Sequence, residues 1–79
     1  MLLTTRELKM KKITFNVGRD GSERLIVFKE LMKLKKKFIK ARAYTSVNPV
    51  LMVTASFDYL YDYCLRYCNF NLEVYYEEN

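Results

Sequence analysis

The spacing of apolar residues changes period once between Ser22 and Tyr44, and the position of that change decides which folds the chain can adopt. From Ser22 the period is helical. At about 100° per residue, Leu25, Phe28, Leu31, Met32 and Leu34 share a broad side opposite Lys29, Lys33, Lys36 and Lys37. From Phe38 the residues alternate instead, with Phe38, Lys40, Arg42 and Tyr44 set against Ile39, Ala41, Ala43 and Thr45. That is a strand pattern with a small apolar face and a basic-aromatic face. One helix continuing to Ala43 would hold Lys35 and Arg42 inside its apolar arc. The spacing therefore favours a helix that ends near Lys36–Phe38 and runs into a strand.

The other elements follow from local patterns. Residues 1–11 are an N-terminal extension, with Thr4 and Glu7 spaced as a helix capping box. Ile13 to Val17 alternates as a half-buried strand and stops at Gly18-Arg-Asp-Gly21, where Asp20 or Ser22 can cap the helix. Ser46-Val-Asn-Pro49 is a turn, and Val50 to Ala55 reads as a buried central strand. Ser56 caps a helix from Phe57 to Cys68. Its core stripe is Phe57, Leu60, Tyr61, Cys64 and Cys68, with Tyr59, Tyr63 and Tyr67 forming a second stripe beside it. So wide an arc needs a neighbouring helix or a second subunit to cover it. Asn69 or Asn71 turns the chain into a last strand, with Phe70, Leu72, Val74 and Tyr76 on one face.

The order is β-α-β-β-α-β, the split βαβ arrangement of ferredoxin-like domains. The expected fold is a single α+β domain over residues 12–79, a two-layer sandwich with both helices on one face of a four-stranded antiparallel sheet. Ile13–Val17 and Val50–Ala55 are expected at its centre. The alternative is βαβαβ with one long basic helix.

Charge supplies the functional argument. Between Lys29 and Arg42 seven basic residues face one acid, Glu30, whereas the whole chain carries a formal +5. In the preferred fold this divides into a helix patch of Lys29, Lys33, Lys36 and Lys37, and an edge-strand patch of Lys40, Arg42 and Tyr44. Cations of this density displace counterions from phosphates, and a tyrosine can stack on a base. The plainer reading is a solvated helix face and an edge strand protected by lysines. An RNA-recognition sheet needs rings on its two central strands. The outward positions expected there, Thr14, Asn16, Val50, Met52 and Thr54, carry none. Val50 and Met52 flanked by Tyr44 and Tyr75 instead suggest a protein interface or a sheet-to-sheet dimer.

Other chemistry finds little support. With no histidine in the chain, Ser-His and Cys-His catalysis are excluded. The expectation is a non-enzymatic protein with no cofactor, metal or catalytic residue. Cys64 and Cys68, one turn apart, could supply half a zinc site but read more simply as small buried residues. Gly18–Gly21 offers Arg19 or Arg24 to an anion, and its place resembles the ligand loop of ACT-type regulatory domains. That family's Pro-Gly after the aspartate is missing, so an ordinary turn is the simpler reading. No apolar run nears the ~20 residues of a membrane span, and the charged start lacks a signal-peptide core. The chain is thus expected to be cytoplasmic and homodimeric, and to bind nucleic acid or an acidic protein surface. Its size suits an accessory nucleic-acid-binding domain, or a compact inhibitor or adaptor of the kind phages and mobile elements encode.

Overall fold

The computed structural model describes residues 9–45 and 51–78. Strand β1 (Met10–Val17) leads to helix α1 (Gly21–Leu34), a 3-10 turn (Lys35–Lys37) and strand β2 (Phe38–Tyr44). Strand β3 (Met52–Thr54), helix α2 (Phe57–Arg66) and strand β4 (Phe70–Glu77) complete the order. This is the βαββαβ two-layer sandwich with an open antiparallel sheet, consistent with a ferredoxin-like fold. The long-helix alternative fails, because α1 stops at Leu34 and β2 begins at Phe38. β1 reaches back to Met10, two residues before the expected domain start.

Capping explains the helix starts. Asp20 accepts a hydrogen bond from the Ser22 backbone N–H at 2.8 Å, and Ser56 accepts one from Tyr59 N–H at 3.2 Å. α2 ends at Arg66 rather than Cys68. Asn69 then takes the left-handed conformation, φ 65°, and donates its N–H to the Val17 carbonyl at 2.6 Å. Asparagine tolerates that conformation better than most residues.

Strand order differs from expectation. It is β1-β4-β2-β3, so β4 and β2 are central and the strands expected at the centre lie at the edges. Every neighbouring pair is antiparallel. β1 and β2 are thus parallel with β4 between them, and β3 and β4 are parallel with β2 between them. Composition explains the exchange. β4 buries Leu72, Glu73 and Val74 in succession, whereas β1 exposes Lys11, Lys12, Thr14 and Asn16, as suits an edge. β3 is only three residues long and leaves Val53 65% exposed. The Ser46–Pro49 turn and Val50 lie outside the described residues.

The core forms between the sheet's inner face and the helices: Val17, Ala41, Ala43, Leu72 and Val74 below, Val27, Leu31, Leu60 and Cys64 above. Two corrections follow. α1 buries Val27 and Leu31, while Leu25 and Met32 of the expected stripe are exposed. In α2, Tyr61 meets Phe28 of α1 at 5.4 Å between ring centres, but Tyr59, Tyr63 and Tyr67 lie on the other flank, where α1 cannot cover them. Tyr63 packs edge-on against Phe70 at 5.3 Å and Tyr59 stays exposed.

Candidate interaction surface

Period-two alternation sends one face of each strand to the core and the other to the open side of the sheet. Cross-strand partners share a face, so the registers define the open side row by row. Lys12, Tyr75 and Lys40 form one row, Thr14, Glu73, Arg42 and Val53 the next, and Asn16, Asn71 and Tyr44 the third. The row order is a consequence of the β4–β2 centre.

A register shift between Phe38 and Lys40 makes this face possible. Simple alternation would place Phe38 beside Lys40, Arg42 and Tyr44. Ile39 is instead an extra residue in β2, a bulge that reverses the side on which earlier residues point. Phe38 turns inward and meets Phe57 edge-on at 5.6 Å, while Lys40 stays outside.

The open-side residues are mutually ordered. Arg42 Nε lies 3.3 Å from Glu73 Oε1, and the Tyr75 hydroxyl donates to the same oxygen at 3.3 Å. The Arg42 approach is close enough for an ion pair but poorly aligned, so its buried Nε makes no hydrogen bond. Arg42 Cζ stands 4.9 Å from the centre of the Tyr44 ring, and Lys40 Nζ 5.3 Å from that of Tyr75. Cations over ring faces gain about 0.5–1 kcal/mol at exposed sites. A cavity of about 190 Å³ opens among Lys40, Ala41, Arg42, Val53 and Tyr75.

The structure therefore unites residues that the sequence had assigned to separate sites. Lys40, Arg42 and Tyr44 share the open face with Tyr75, though on a central strand, not an edge. Met52 does not join them. It pairs with Ala43, points inward and packs on the core. Glu73, Val53 and Lys12 belong to the face and were missed. The alternation of Asn71, Glu73 and Tyr75 against Leu72 and Val74 was the available signal for Glu73. Because β4 and β2 are central, the central strands do carry rings on the open side. Each ring already has a cation of its own chain over it, and Lys12, Lys40 and Arg42 are nearly balanced by Glu73 and by Glu77, which is opposite Met10 and two residues beyond Tyr75 on the same face of β4.

The helix patch is in the other layer. Lys33 pairs with Glu30 at 3.3 Å. Lys29, Lys36 and Lys37 are exposed and form no ion pair among the described residues. Arg24 is not available to an external anion. Its guanidinium donates to Cys64 O at 2.8 Å, Gly18 O and Tyr67 O at 3.2 Å, and Leu65 O at 3.4 Å, capping the end of α2. Cys64 is buried but Cys68 is exposed, against the expectation that both lie in the core. Among the described residues no group of Cys, Asp and Glu converges as a metal site, and no helix is long and apolar enough to cross a membrane.

No protein-family model, curated protein or solved structure matches the chain.

Proposed function

We propose that this domain is a non-catalytic protein-interaction module, and that its open sheet face docks a protein partner. The observation behind this reading is the ordered cluster of Tyr44, Arg42, Glu73, Tyr75 and Lys40 around a small cavity, with Val53 exposed beside it. Tyrosine and arginine held in place before binding lose little entropy on complex formation and are typical anchors of protein interfaces. Lys12 and Lys40 beside Glu73 and Glu77 give the face charges of both signs, which suit a mixed protein surface better than a uniformly negative phosphate backbone. Val53→Asp and Lys40→Glu are exposed-site changes. Each weakens the partner at least about tenfold in calorimetry, about 1.4 kcal/mol, while the chain stays folded and Lys40→Glu loses no more stability than the about 0.5–1 kcal/mol of its contact with Tyr75. Unaltered affinity in both would defeat the proposal.

A second reading, nucleic-acid binding by an accessory domain, draws on the exposed lysine run at the end of α1. Lys29, Lys33, Lys36 and Lys37 would hold phosphates there, with Lys40, Arg42 and Tyr44 reached around the sheet edge. Its test is binding to DNA and RNA at two salt concentrations. Four phosphate contacts give a steep decline with salt, and Lys36→Glu/Lys37→Glu removes much of it.

A further inference from the structure

The two helices leave a groove on the side turned away from the sheet. Its volume is about 270 Å³, with Met32 and Lys35 on one side and Phe57, Tyr61 and Leu65 on the other, Asp58 and Asp62 at the rim. Met32 and Leu65 are half-exposed, as is Leu25, seven residues before Met32 on the same flank of α1. An apolar line of this length beside a groove differs from single apolar residues scattered on a surface.

Charge along the groove is sorted by helix. α1 presents Lys29 and Lys33 on its solvent side, and α2 presents Asp58 and Asp62, each pair four residues apart and so on one face. The helices run antiparallel. Arg24, near the start of α1, bonds carbonyls at the end of α2, Phe28 meets Tyr61, and Lys35 lies over Phe57. Lys33 is therefore level with Asp58, and Lys29 with Asp62, to within a turn.

We infer that this helix layer is a self-association surface whose occupant is a second copy of the chain. A two-fold axis along the groove keeps height unchanged and lays α1 of each copy over α2 of the other. Lys29 and Lys33 then face Asp62 and Asp58 of the second copy, twice over, while Leu25, Met32 and Leu65 close across the groove. A two-fold perpendicular to the helices would stack lysine on lysine. The internal pairs Lys33–Glu30 and Asp62–Arg66 are exposed and weakly held, so they yield to the new partners. The inference is independent of the sheet-face reading. Such a dimer leaves both sheet faces outward.

Sedimentation equilibrium on the full chain tests it. The wild type sediments as a dimer that weakens at high salt. Lys29→Glu/Lys33→Glu makes both helices acidic and Asp58→Lys/Asp62→Lys makes both basic, so each variant alone dissociates at least tenfold more readily. Mixed in equal amounts, they restore every opposed pair and form a heterodimer. A monomeric wild type, a dimer untouched by both variants, or a mixture that stays monomeric would each overturn the inference. Circular dichroism confirms folding. If either charge variant is unfolded, Leu65→Asn decides: loss of the dimer supports the inference and its retention overturns it.

Discussion

At the scale of single residues, Arg24 and Cys64 hold the helix layer together. Arg24 gives the Gly18 carbonyl in the turn before α1 and three carbonyls at the end of α2 a charged donor. Hydrogen bonds to charged groups contribute more than neutral ones, so Arg24→Met is expected to cost about 2 kcal/mol. Arg24→Lys does not rescue it, since an ammonium lacks the planar fork that spans several acceptors. An unchanged urea midpoint would refute this role. Burial pushes the Cys64 thiol from 9.0 up to about 11, against a smaller opposing pull from Arg24. Below pH 9 folded and unfolded chains both keep that proton. Between pH 9 and 11 only the unfolded chain loses it, so stability falls as pH rises through this window. Tyr63, raised by burial and by its neighbours Tyr67, Tyr59 and Cys64, acts in the same direction. Urea titrations at pH 7 and pH 10 measure the decline, and Cys64→Ala flattens it. A thiol reagent at pH 8 modifies Cys68 quickly and Cys64 only on unfolding.

At the scale of elements, the bulge at Ile39 converts a basic strand into one that also feeds the core. Deleting Ile39 forces a choice between burying Lys40 and exposing Phe38. Losing the burial of a large apolar side chain costs about 1.5–3 kcal/mol, so the deletion variant unfolds at least that much more easily in urea. Equal stability would mean that Phe38 contributes little. The sequence showed the change from helix to strand, the Ser56 cap and the inner face of β4, and narrowed the first cap to Asp20 or Ser22 and the last turn to Asn69 or Asn71, because each is written in neighbouring residues. The bulge was not legible, since Phe38 and Lys40 obey simple alternation as written. Strand order was not legible either. The apolar run around Met52 looks central, and only pairing shows that β3 is short and that β4 takes the middle. Pairing with β2 likewise sets the facing of β3, with Met52 opposite Ala43 inside and Val53 opposite Arg42 outside, and the central place of β4 sets Glu73 beside Arg42. Met52→Asp is accordingly expected to destabilise the fold, not merely to weaken a partner.

At the scale of the whole molecule, charge is divided between layers. The helix layer sets a basic helix beside an acidic one, and the sheet face is nearly neutral but rich in tyrosine and arginine. On the two proposals above, one layer would take a copy of itself and the other a different protein. If both surfaces are occupied, two sheet faces on one dimer bind a bivalent target more tightly than either face alone, provided the geometry allows simultaneous contact.

The most direct test of the central claim is a pull-down from the native host with nuclease present, comparing four forms of the chain. The wild type and Lys36→Glu/Lys37→Glu are expected to retain the same protein partner, while Val53→Asp and Lys40→Glu lose it. Recovery that disappears with nuclease, or with the Lys36/Lys37 variant while Val53→Asp remains competent, would contradict the sheet-face account.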